Sequence, residues 1–147
     1  MDILTPTHVT QGEFKGWQTW AVEPFEHDLV GPFYFRNDDQ GPVCAFRAES
    51  KHMNAGGIMH GGCLMTFADF SLFGISREHF LESYGVTAAF TSEFLNIAKI
   101  GELIEARGEV LRAGGSLIFV RGLVTADGRP CLNFSGTIKR VKPVTPA

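Results

Sequence analysis

From residue 61 to about residue 82 the chain carries apolar side chains at helical spacings on nearly every side: Leu64, Met65, Phe67, Ala68, Leu72, Phe73, Ile75 and Phe80. A helix that is apolar around most of its circumference, not along one stripe, is stable only when protein surrounds it. Asp69 is the one charge in the first dozen residues after the two glycines at its start. The rest of the chain must therefore supply the wrapping. Beyond Gly85 the pattern is strand-like to the end, with candidates at residues 88–95, 103–111, 117–126 and 131–141. In the second of these, Ile104, Ala106, Gly108 and Val110 alternate with Glu105, Arg107 and Glu109, the signature of a half-buried strand. Gly114-Gly115 marks one turn, and Asp127-Gly128 is a strong two-residue hairpin signal. Upstream, Phe33, Tyr34 and Phe35 run into a turn at residues 37–42, and residues 43–48 return. Trp17 and Trp20, three apart, suit one face of a short helix. An antiparallel sheet wrapped around one long central helix, an α+β arrangement, satisfies all of this.

The 147 residues make one domain, with residues 1–20 as an N-terminal extension and residues 142–147, which include Pro143 and Pro146, as a short tail. A net charge of −3 argues against a nucleic-acid partner. No apolar run approaches the ~20 residues that cross a bilayer, so no membrane association is expected. Residues 1–11 lack a basic stretch followed by an apolar one, so a cleaved secretory signal is not expected either. Cys44, Cys63 and Cys131 form no CxxC pair, and the expectation is a cytoplasmic protein with reduced thiols.

The segment that carries chemistry runs over residues 54–69, NAGGIMHGGCLMTFAD. His60 precedes Gly61 and Gly62 at the helix start. A helix N-terminus presents unpaired N–H groups and the positive end of the macrodipole, and glycines there let a substrate approach the backbone, so this end can hold a developing oxyanion. Tight packing of the helix start is the other reading of the same glycines. Asp69 lies about two turns in. A carboxylate in so apolar a helix is costly unless it has a use or a partner; contact with solvent or a salt bridge would also accommodate it. Gly61 and Asp69 are about 12 Å apart along the axis at ~1.5 Å per residue. Groups acting on one carbonyl must lie within ~3 Å of it, so the two cannot easily serve one carbonyl from the same chain. If both are catalytic, Asp69 must come from a neighbouring subunit, which predicts an obligate homodimer with two symmetric sites.

Asn54, His60-Gly61-Gly62 and Asp69, nine residues after the histidine, together resemble the hotdog-fold acyl-CoA thioesterases of the PaaI (phenylacetate-pathway) type. The stretch GVTAAFTSEFLNIAKIGE at residues 85–102 resembles the strand that follows in that family, and the resemblance covers about residues 54–141. It implies a hotdog fold and hydrolysis of aryl-acyl or medium-chain acyl-CoA to free acid and coenzyme A. No cofactor is implied, since coenzyme A is part of the substrate. The assembly implied is a homodimer that pairs into a tetramer. By the same resemblance, Asp69 attacks the thioester carbonyl or activates water, and the Gly61 N–H polarises the thioester oxygen. Asn54 and His60 flank the carbonyl or the water, and Thr87 hydrogen-bonds near the carboxylate. Asp and Thr then belong to one subunit and the Asn/His/Gly group to the other. Ala89 departs from the polar residue common in relatives. Gly62, Phe90, Phe94, Arg112, Gly115 and Ser116 are the expected substrate-binding residues, with core packing the plainer reading of the two phenylalanines. Arg112, Arg121 and Arg129 are candidates for the coenzyme A phosphates, with solvated strand charges as the plainer reading.

Two other readings compete for the same residues. A hotdog hydratase or dehydratase would act on enoyl- or hydroxyacyl thioesters, but the chain lacks the His-Phe-Pro-like strand entry of those enzymes. A non-catalytic acyl-CoA-binding module is the alternative outside enzymes. No metal is expected: His52, His60 and His79 fit no common ligand spacing. Cys63, near the helix start, lacks the His and Asn frame of a thiol nucleophile and reads as a structural thiol. Neither Ser71 nor Ser116 sits in a GxSxG context.

Overall fold

A computed structural model describes residues 5–80 and 83–142. The elements, in chain order, are β1 (Thr7–His8), β2 (Gln18–Thr19), β3 (Tyr34–Asp38), β4 (Gly41–Arg47), α1 (Gly61–Ser76), β5 (Tyr84–Phe94), β6 (Leu103–Ala113), β7 (Leu117–Ala126) and β8 (Arg129–Val141). They form one antiparallel eight-stranded sheet in the order β1-β2-β3-β4-β6-β7-β8-β5. The helix α1 packs against β4 to β8. This is the hotdog arrangement expected above.

The helix is held by side chains from all around it. Phe67 is fully buried and meets Phe33 at 5.2 Å and Phe46 at 4.8 Å between ring centroids. Burying each such ring contributes roughly 1.5–3 kcal/mol. Leu64, Ala68, Phe70, Leu72 and Ile75 are buried as well, which accounts for apolar residues at every helical angle. Two glycines let the helix come this close. A Cβ on Gly136 would stand 2.4 Å from Leu72 Cδ1, and one on Gly74 would stand 2.4 Å from Cys44 Sγ. The β7–β8 hairpin turns at Asp127 (φ 47°) and Gly128 (φ 81°), the paired left-handed conformation that Asp-Gly favours.

Several boundaries differ from the sequence reading. Trp17 and Trp20 are not on a helix but flank β2, whose Gln18 pairs with Phe35. Residues three apart across an extended segment point to opposite sides. Trp17 accordingly joins Phe14, Val43 and Ala45, while Trp20 lies 4.2 Å from Phe35. The helix ends at Ser76, and residues 77–80 tighten into a 3-10 turn; residues 81–82 lie outside the described residues, as do Pro143 and Pro146 of the tail. Strand β5 begins four residues before the predicted strand and β8 two residues before. Among the described residues no helix is long and apolar enough to cross a membrane.

Candidate active site

The N-terminus of α1 is capped from within its own motif. His60 is the N-cap residue, and its Nδ1 accepts the Gly62 N–H at 2.9 Å. An imidazole accepting at Nδ1 carries its proton on Nε2, and the ring is exposed. The Cys63 and Leu64 N–H groups reach the His60 carbonyl. That leaves the Gly61 N–H as the donor at this helix end with no acceptor among the described residues, whereas Gly62, expected beside it in the substrate site, has spent its N–H on the cap. The Phe94 ring lies over Gly61, where an added Cβ would be 3.1 Å from its edge. Asn54 shapes the loop that leads in. Its Oδ1 accepts the Gly56 N–H at 2.8 Å, and its backbone closes a turn with Gly57 and Ile58. The Asn54 side-chain NH2 has no acceptor among the described residues.

Two turns along α1, Asp69 is half-buried, and its Oδ1 accepts a 2.6 Å hydrogen bond from Thr87 Oγ1. Burial pushes the Asp69 carboxyl above its ordinary range, and the Thr87 bond draws it partly back down. Thr87 is aimed there by an irregularity in its strand. The β5–β8 register slips between Thr87 and Ala89, leaving Ala88 as the extra residue of a bulge. Bulges re-aim side chains in this way.

The fold thus divides the predicted catalytic residues of one chain into two groups. Asn54, His60 and Gly61 stand at the helix start, and Asp69 and Thr87 stand about 12 Å further along at ~1.5 Å per residue. Phe94 lies with the first group, and Phe90 is half-buried against the core. Arg112 at the end of β6 and Gly115 and Ser116 in the following turn are exposed. They occupy the end of the sheet where Leu117 and Val86 both pair with Lys139, two strands from Thr87. Arg121 is bonded to Glu109 at 2.6 Å and Arg129 to Glu102 at 3.0 Å, so of the three arginines only Arg112 is without an ion-pair partner among the described residues.

Other candidates are accounted for by packing. His52 is buried, donates from Nε2 to the Val30 carbonyl at 2.6 Å, and accepts the Glu49 N–H at Nδ1. Burial pushes the Cys63 thiol up to about 11, away from a thiolate. No three His, Cys, Asp or Glu side chains among the described residues are grouped so that they could hold a metal ion.

A family model described as "Thioesterase superfamily" matches residues 56–132, the span from the loop before His60 through the β7–β8 hairpin. The chain belongs to the thioesterase superfamily. It is a thioester hydrolase, and its helix-start glycines and helix carboxylate lie inside the matched span. "Putative esterase PA0474" of Pseudomonas aeruginosa is 34% identical over 113 residues, which are 74% of this chain and 83% of that protein. A mutant of the phenylacetic acid degradation protein PaaI from Thermus thermophilus has a TM-score of 0.68 at 22% identity, covering 81% of this chain and 100% of the other. A hypothetical thioesterase from Streptococcus pneumoniae TIGR4, solved with coenzyme A, has a TM-score of 0.66 at 20% identity, covering 77% and 88%. At those identities the two structures show a shared hotdog fold.

Sequence reasoning missed one feature of this thioesterase. A cavity of about 600 Å3 adjoins the second half of α1, walled by Trp20, Glu26, Phe35, Phe73, Phe80 and Gly85 among others. Three of those residues lie far upstream of the motif, and no local signal marks them.

Proposed function

We propose that the protein hydrolyses acyl-CoA thioesters to free acid and coenzyme A, with Asp69 and Thr87 of one subunit facing Asn54, His60 and Gly61 of a second. The observation that carries this reading is the separation of the two groups on one rigid helix. Each is prepared for chemistry, and neither is complete: a free N–H at one end, and a hydrogen-bonded, half-buried carboxylate at the other. Two helices packed antiparallel across a two-fold axis would close both halves at once. Strand β5 supports the same arrangement. It is a sheet edge paired on one side only, and it and the loop after it expose Val86, Phe94, Leu95 and Ile97. An apolar edge strand of this kind invites pairing with a second copy. Leu111, Leu117 and Phe119 are exposed on β6 and β7 and are where dimers would pair into a tetramer.

In this reading the thioester oxygen lies against the Gly61 N–H at the positive end of α1, where negative charge developing on that oxygen is stabilised. Asp69, ionised and fixed by Thr87, attacks the carbonyl carbon or takes a proton from the water that does. The C–S bond breaks and coenzyme A leaves as thiolate; water supplies the oxygen that the acyl group gains, either by attacking the thioester directly or by hydrolysing the anhydride that attack by Asp69 forms, which releases the free carboxylate and restores Asp69. The thioester has little resonance to lose and a good leaving group, so positioning and charge suffice. Arg112 is the cation placed for a coenzyme A phosphate. Acyl-CoA and the reduced thiols of Cys44, Cys63 and Cys131 both suit a cytoplasmic setting.

Subunit complementation tests the shared site. Asp69→Ala and Asn54→Ala proteins are each expected to be inactive. Mixed one to one with free exchange, half the dimers are heterodimers with one intact site of two, so about a quarter of wild-type activity returns. No recovery after exchange has been demonstrated by mass spectrometry overturns the shared site.

A further inference from the structure

The cavity beside α1 approaches the Asp69 carboxylate along two elements at once, and Glu26 in its lining feels the Asp69 charge. On α1, Phe73 stands one turn beyond Asp69 on the same helix face, and its ring walls the cavity. On β5, Gly85 stands two residues before Thr87 on the same strand face and walls the cavity too. Both steps advance about 6 Å, at ~1.5 Å per helical and ~3.3 Å per strand residue. The bonded pair Asp69–Thr87 therefore lies one helical turn and two strand residues from side chains that line an aromatic chamber. Further lining comes from Trp20, Glu26 and Phe35, which precede the matched family span. A volume of about 600 Å3 is of the size that small-molecule pockets have.

We propose that this cavity receives the acyl group of the thioester, and that Phe73 and Glu26 decide which acyl groups enter, admitting uncharged chains or rings and turning away those that end in a carboxylate. The proposal rests on the thioester-hydrolase reading of Asp69. Phe73 limits the space, because it is the lining residue of α1 nearest in sequence to the carboxylate. Glu26 sets charge. Its carboxyl is half-buried, makes no hydrogen bond or ion pair with the described residues, and is held up at about 7 by burial and then by the charges of Asp69 and Glu23. The other charged or titratable groups facing it are Arg77, Glu78 and Tyr84. Arg77 is engaged, with Nη1 on the Gly74 carbonyl at 2.7 Å and its guanidinium 5.1 Å over the Phe35 ring. Glu78 accepts from Asn37 at 3.3 Å. An anionic acyl terminus would thus meet the unpaired Glu26 and its acidic neighbours, with the cation Arg77 already engaged, in a medium where like charges repel strongly.

The test compares thiol release from acetyl-CoA, octanoyl-CoA and suberyl-CoA, the last being octanoyl-CoA with a terminal carboxylate, using the full-length protein. The octanoyl-to-suberyl ratio of kcat/KM is expected to exceed ~10 above neutral pH, the scale on which unfavourable polar contacts discriminate substrates. It should narrow toward pH 6 as Glu26 takes a proton, and Glu26→Gln should make it independent of pH. Phe73→Trp should cut the octanoyl-to-acetyl ratio at least ~10-fold, as overfilling a pocket by more than a methylene does. A ratio that is flat with pH in the wild type, a preference for suberyl-CoA through Arg77, or an octanoyl-to-acetyl ratio unmoved by Phe73→Trp overturns the proposal. Absence of thiol release from all three substrates sinks the hydrolase reading instead. Calorimetry then still reads the cavity: Phe73→Trp must weaken octanoyl-CoA binding relative to acetyl-CoA, and an unchanged ratio of Kd values overturns the pocket.

Discussion

The segment around α1 and the segment before β3 meet at one cavity, and they differ in how their polar groups are held. Around α1 each acid or ring has a partner close by in sequence or across one strand: His60 with Gly62, Asn54 with its own turn, Asp69 with Thr87. Before β3 the contacts are mostly aromatic, with Trp20 on Phe35 and edge-on to Phe70, while the Glu26 carboxyl has no partner among the described residues. The two are tied together just ahead of the helix. His52 and Lys51 donate to the carbonyls of Val30 and Gly31, each at 2.6 Å, and the His52 carbonyl accepts the His60 N–H. The proposed reacting groups thus sit on α1, the loop before it and the adjoining strand β5, each held by a local hydrogen bond. Part of the wall of the proposed acyl pocket comes instead from a distant stretch docked by a pair of residues. Such a division lets acyl preference change without disturbing the reacting groups.

The sharpest way to break that contrast is Asp69→Asn. It should lower kcat by at least ~100-fold, the scale of a lost general base, and near-normal turnover would remove Asp69 from the chemistry. Thermal unfolding should show equal or greater stability, because the amide still accepts from Thr87 and no longer carries a charge that burial penalises. Thr87→Val is expected to act less strongly, lowering kcat/KM by about tenfold for one hydrogen bond to a charged group. The sign of its pH effect follows from Asp69. Activity needs the ionised carboxylate, burial already raises its pKa, and Thr87 opposes that rise. The acid limb of kcat/KM should therefore lie above the ordinary aspartate range and move further up in Thr87→Val; a limb that stays put separates Thr87 from the carboxylate.

The smallest effect concerns the tie between the two segments. Burial holds the His52 pKa below its ordinary value, so the unfolded chain binds the proton more readily than the folded one. Stability from this residue is complete above the ordinary histidine range of about 6.5 and is lost as pH falls from there through the folded value. Denaturant unfolding of the wild type should weaken over that window, and His52→Gln should flatten the slope. An unchanged slope would mean that His52 is not what couples docking of the N-terminal segment to pH.

Much of the site was legible because its information is local. The HGG cap at residues 60–62, the isolated Asp69 and the spacing that forbids both from serving one carbonyl all lie within one helix, whose geometry is known before folding. The same holds for the Asp127-Gly128 turn, where the backbone angles follow from the residue types. Thr87 was found through the family resemblance, but what aims it is the bulge at Ala88, and no alternation in TAAFT announces an extra residue. Trp17 and Trp20 read as helical for a related reason: three-residue spacing fits a helix face, yet pairing with β3 draws the segment into the sheet.

What the chain determined by itself was a buried helix, its capped and glycine-opened start, and a lone carboxylate two turns in, since periodicity and capping act over a few residues. Only the tertiary structure decided that Trp20, Glu26 and Phe35 would line one cavity with Phe73 and Gly85. A cavity is the space left between elements far apart in sequence. It depends on how they pack, and no single stretch of residues encodes it.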